Sequence, residues 1–173
     1  MNGPRIALVA LILMCGTAVS ADDAAIKKTV KAKAEEMNAA FIKDDFEKVA
    51  ALTHPKMVEL AGGLEKCIAA MKMTIQDLKA KGYVARSVSI DEPSDPVLVG
   101  SVLYIVSPFQ LEMTAPNGKL RLKSFSIGVS NDGGTTWGFL NGDLDVKTIK
   151  AVLPDLPEQL KLPTRQKPVF EKE

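Results

Sequence analysis

One side chain titrates near neutrality. His54 is the only histidine in the 173-residue sequence. It stands in Leu52-Thr53-His54-Pro55, at the end of a short apolar-periodic segment. There it can act as a general base if it faces an open site, or cap backbone groups if it does not, and capping is the preferred reading. Cys67 precedes Ile68 on the apolar side of a predicted helix and reads as a small core residue, not a nucleophile. Asp91, Glu92 and Asp95 cluster without EF-hand spacing, which is the pattern of a solvated turn. One histidine and one cysteine outside the N-terminal segment make no zinc set, so no metal is expected. The sequence holds no G-x-S-x-G elbow, no G-x-x-x-x-G-K-[ST] and no G-x-G-x-x-G, and no cofactor is expected. Apolar surface is available from Met57, Met71, Met73 and Met113, and from Tyr104, Phe109, Phe125 and Trp137. Most of it suits core packing. A sheet curled against helices also leaves room for a pocket, for which His54, Met57, Tyr104 and Phe109 are the candidate ligand-binding residues.

The elements that must position these residues follow from periodicity. Ile26, Val30, Met37 and Phe41 mark a first helix, capped by Asp22 or Asp23. Asp44 is expected to cap a second through Phe46, Val49 and Leu52, ended by His54-Pro55. Lys56 to Leu60 is a turn or a short helix. Gly62-Gly63 breaks the chain before Leu64, Ile68, Met71, Ile75 and Leu78, which recur at helical spacing, and Gly82 ends that helix. From Tyr83 the period becomes two. Val84, Val88 and Ile90 are predicted to share a strand face. Val97–Ser107 reads as one central strand, Pro108 as a bend or bulge, and Pro116-Asn117-Gly118 as a turn. The apolar phase slips between Leu122 and Phe125, which predicts a bulge or strong bend. Asp145 should cap a last short helix that Pro154 stops.

Between two alternating segments lies Ser130-Asn131-Asp132-Gly133-Gly134-Thr135-Thr136-Trp137. It resembles the Asp-box, S-x-D-x-G-x-T-W, of sialidases and other β-rich proteins, at Ser130, Asp132, Gly134, Thr136 and Trp137. That resemblance implies a structural turn, in which the Asp binds backbone N–H groups and the aromatic packs beneath. A glycosidase is disfavoured, because a propeller repeats its blades and the motif occurs here once.

Composition is ordinary for a globular chain, at 46% hydrophobic and 25% charged. Residues 1–21 differ. Arg5 is their only charge, Ile6 to Met14 is apolar, and Ala18-Val19-Ser20-Ala21 offers small residues for cleavage. This is the pattern of a signal peptide cut after Ala21, and it predicts a secreted or periplasmic protein. Cys15 follows Met14, not the small residue that a lipid-attachment site needs, so membrane contact beyond export is not expected. Without Arg5 the acidic and basic side chains balance, and nothing suggests nucleic acid as a partner. Cys67, then alone, forms no internal disulfide.

Helices followed by a long antiparallel sheet give an α+β layout. With Leu52-Thr53-His54-Pro55, Gly62-Gly63, Gly82-Tyr83 and Asp132 to Phe139, the chain resembles uncharacterised secreted bacterial members of the nuclear transport factor 2-like superfamily. The resemblance implies a cone-shaped fold of about three N-terminal helices packed on a strongly bent antiparallel sheet. The resemblance covers most of residues 23–154; the domain is expected over 22–162, and the charged, proline-bearing stretch 163–173 is expected to be a flexible tail. The resemblance leaves three functions open. The first is a non-catalytic domain binding a small apolar or amphipathic ligand or a partner protein. The second is a SnoaL-like or isomerase-like enzyme with His54 as base. The third is an interaction module dimerising through its sheet face. Isomerase relatives pair an Asp base with a Tyr, and neither Tyr83 nor Tyr104 matches that pattern. Dehydratase relatives need two histidines.

Overall fold

Helical periodicity fills the first half of the chain, and four helices precede the first strand. They are α1 (Ala21–Ile42), α2 (Phe46–Leu52), α3 (Pro55–Leu60) and α4 (Leu64–Ala80). The structure, a computed structural model, describes residues 21–172. The expected signal peptide, apart from Ala21, lies outside the described residues, as does Cys15. Among the described residues no helix is long and apolar enough to cross a membrane.

Asp22 and Asp23 lie within the first turn of α1, where their charge favours the helix dipole. The N-cap of α2 is Asp45, one residue later than expected, and its side chain accepts from the Lys48 N–H at 3.1 Å. Asp44 instead takes φ 57, and its carboxylate meets Lys79 of α4. Pro55 opens α3 at the first helical position, where the missing N–H costs nothing. At the end of α4, Tyr83 N–H reaches Leu78 C=O and Gly82 N–H reaches Lys79 C=O, the paired bonds of a Schellman cap.

The strands are β1 (Val84–Ile90), β2 (Val97–Val99), β3 (Val102–Ala115), β4 (Gly118–Ser130), β5 (Gly138–Asn141) and β6 (Val169–Lys172), with α5 (Val146–Val152) after β5. All strand pairs are antiparallel. The long β3–β4 ribbon is the centre of an open sheet. β1 and β2 share the outer edge of β3, and β5 and β6 share the outer edge of β4.

Several local expectations change. Val97–Ser107 is not one strand but a hairpin. Gly100, at φ 61, takes the first central position of a two-residue turn, so Val99 pairs with Val102. β1 carries a register shift between Ala85 and Ser87, which puts Val84 opposite Thr114 but Val88 opposite Leu111. Val84 therefore faces away from Val88 and Ile90. Pro108 causes no bulge. Its carbonyl accepts from Asp91 N–H, so its ring nitrogen faces the point where β1 ends and no ladder bond is lost.

The β3–β4 register is also unbroken from Leu103↔Ser130 to Ala115↔Gly118, so the expected bulge at 122–125 is absent. The phase slip has another cause: the two covering layers are offset along the ribbon. On one face α1 brings Val30 and Ala34 onto Leu103, Ile105, Trp137 and Phe139. On the other, Ile149, Val152, Leu153 and Leu160 pack on Tyr104, Val106, Phe125, Ile127 and Val129. This second cover ends near Pro108 and Phe125. Beyond it, alternation places Gln110, Glu112, Lys119, Arg121 and Lys123 on that face. The last strand falls in the segment expected to be a flexible tail. Residues 169–172 pair with Gly118 to Arg121 along an edge that β5 leaves unfilled.

Candidate functional site

His54 is committed to backbone. Its N–H donates to Phe139 C=O at 2.9 Å, and its Nδ1 accepts from Lys56 N–H at 3.3 Å as the N-cap of α3. Partial burial holds its pKa below the usual 6.5. A ring whose δ nitrogen already serves a cap keeps only Nε2 for proton transfer. The other candidates do not assemble around it. Tyr104 is 5% exposed inside the core beside α5, and Met57 packs against that same cluster. Burial, then the nearby Asp155 carboxylate, push the Tyr104 phenol up. Phe109 is further down β3, paired with Ser124. Cys67 is buried in α4, and burial raises its thiol pKa, away from the thiolate a nucleophile needs. Glu92 and Asp95 bind lysines of α1, at 3.8 Å to Lys31 and 2.6 Å to Lys27.

The Asp-box-like turn is a closed network. Asp132 Oδ1 accepts from the N–H groups of Thr135 (3.1 Å) and Thr136 (2.8 Å), and Oδ2 accepts from the Thr136 hydroxyl (2.7 Å). Ser130 Oγ donates to Asp132 and accepts from Gly134 N–H, both at 2.8 Å. The Thr136 bonds, with Ser130 behind them, lower the Asp132 pKa to about 2. Gly133 and Gly134 have φ 70 and 93. Trp137 is 6% exposed, and its indole N–H donates to Gly134 C=O at 2.9 Å. These bonds fix the turn and leave the ring in the α1-side core.

At the interface between helices and sheet lies a cavity of about 40 Å³, near Phe41, Ile75 and Met113. A larger one, about 230 Å³, lies where the α5-side cover ends, lined by Lys123 and Phe125 from one face of β4 and by Phe109 and Ser124 from the other. Asp91, Phe109, Lys123, Phe125, Asp143 and Arg165 line it, and the stretch 163–166 closes one side. Phe109 is the one predicted ligand-binding residue that it includes. Two tethers shape it. Ser124 Oγ donates to the Asp143 carboxylate, and the Arg165 guanidinium donates to Leu144 C=O. Asp91 accepts from Gln110 Nε2 at 3.3 Å. Sequence reasoning missed Asp91, Lys123, Asp143 and Arg165 as a set. Lys123 and Phe125, two apart on a strand, share a face by period alone. The other three arrive from connections that no local period encodes.

No family model, curated protein or solved structure matches this chain.

Proposed function

We propose that the chain is an exported, non-catalytic binding domain of the nuclear transport factor 2-like cone type, and that it takes a small amphipathic ligand. The observation that carries this is the cavity of about 230 Å³ lined by Phe109 and Phe125 together with charged groups. It is smaller than the roughly 300–1,000 Å³ of drug-sized sites, so the ligand is a small metabolite and not a lipid. The order of helices and antiparallel strands supports the cone assignment, and the leader-like residues 1–21 support export. The capping role of His54 supports binding over catalysis. Dimerisation through the sheet is not favoured by the face beyond Pro108, where Gln110, Glu112, Lys119, Arg121 and Lys123 are charged or amide side chains.

Thr164 lines the cavity from the exposed 163–166 stretch, so Thr164→Trp should fill the space without disturbing the core. In a ligand-observed NMR screen, fragments should bind the wild type competitively at one site. They should lose that binding in Thr164→Trp at an unchanged melting temperature. Fragments that bind both proteins equally, or none that bind the wild type, would sink the reading.

A further inference from the structure

Four charged side chains of balanced sign meet at the cavity: Lys123 and Arg165 against Asp91 and Asp143. Among the described residues none of the four makes an ion pair. Elsewhere on this protein opposite charges form ion pairs. Lys48 binds Glu36 at 3.0 Å, and Arg121 binds Glu112 at 3.3 Å and Glu171 at 2.5 Å. At the cavity, neutral groups take their place. Asp91 is held by Gln110, Asp143 by Ser124, and Arg165 by the Leu144 carbonyl. Lys123 has no side-chain partner among the described residues. Asp91, Asp143 and Arg165 are thus held to the walls by neutral partners, and Lys123 is left unpaired among the described residues.

We infer that the ligand of this cavity is a small zwitterion with an apolar body, of the size and charge pattern of an α-amino acid. The inference rests on the binding reading above and adds the ligand's chemistry. A purely apolar occupant would strip water from four charges and return nothing to them. A monoanion would satisfy Lys123 and Arg165 but confront two carboxylates, and a monocation the reverse. A zwitterion answers both pairs, with its acidic group toward Lys123 and Arg165 and its cationic group toward Asp91 and Asp143. Its side chain lies against the apolar part of the lining, Pro108, Phe109, Phe125 and Pro163.

The test uses leucine, phenylalanine, 4-aminobutyrate and betaine. The three amines are compared with their N-acetyl and methyl-ester forms and betaine with its methyl ester, all by saturation-transfer NMR and calorimetry on the full exported chain. At least one zwitterion should bind, and each singly charged derivative of it should bind about tenfold more weakly, the loss expected for one charge-assisted contact. Lys123→Met and Asp143→Asn should each weaken the zwitterion by a similar factor, at unchanged melting temperature. Asp143→Asn keeps an acceptor for Ser124, so it tests charge and not folding. If the derivatives bind as tightly as the zwitterions, or if only neutral fragments such as indole bind, the charge assignment falls while the binding reading stands. If no compound of any charge binds, both fall.

Discussion

His54 shows how a chemically capable residue is spent on structure. Its δ nitrogen is an acceptor for Lys56 N–H only while neutral, and its burial disfavours the charged ring. Both effects put the folded-state pKa below 6.5, so the unfolded chain binds the proton more readily. The stability that His54 contributes is therefore complete above about pH 6.5 and is lost as pH falls through the lower folded-state value. Asp132, at about 2, stays ionised throughout that window and does not contribute to the change. Melting temperature should fall between pH 7.5 and pH 5 in the wild type and change less in His54→Asn, which keeps a capping oxygen without a titrating group. Identical slopes in the two proteins would remove His54 as the cause.

At the scale of the element, β6 is the least supported part of the sheet. All four of its residues are exposed, and among the described residues its one ion pair is Glu171 with Arg121. It can approach β4 only because residue 118 is glycine. A Cβ there would collide with the Glu171 carbonyl and come within 2.9 Å of the Phe170 ring. Gly118→Ala should therefore release β6 and leave β3–β4 intact. Amide exchange should rise to solvent rates over 169–172 while 103–107 stays protected, with a small change in global melting. Protection retained in β6 would show that the backbone shifts to accommodate the methyl. This strand also marks the limit of what the sequence displays. Helix caps and turns are local chemistry, so α5 behind Asp145 and the Asp132 turn were legible in it. β6 has no buried face and hence no period-two signal. The offset of the two sheet covers mimicked a bulge at Leu122–Phe125 because one strand served two layers. The site was less legible than the fold. Phe109 was named among its candidates, but Asp143 and Arg165 reach the cavity on connections separated by α5.

At the scale of the whole molecule, both cores are mounted on the same two strands. α1 packs Val30 and Ala34 on Ile105, while α5 packs Ile149 and Val152 on the face of Val106 and Ile127. Ile105 and Ile127 are each 0% exposed, so neither face can open without stripping a strand that the other core needs. The two layers should therefore unfold together. Trp137 tests one face and Ile149 the other. Trp137 is 6% exposed and satisfied by its own turn, so Trp137→Ala should cost roughly 3–5 kcal/mol, the range for truncating a buried aromatic. Ile149→Ala should cost about 2–5 kcal/mol. Against a usual total of about 5–15 kcal/mol, either leaves the domain marginal. Each variant should still show one transition, coincident by near-UV and far-UV circular dichroism, because the shared strands couple the faces. A biphasic melt of Ile149→Ala, with the Trp137 signal surviving the first step, would instead make the α5 layer a separately folding cover. In that case the cavity at its edge would open without loss of the α1 core, and ligand entry would need no more than that local step.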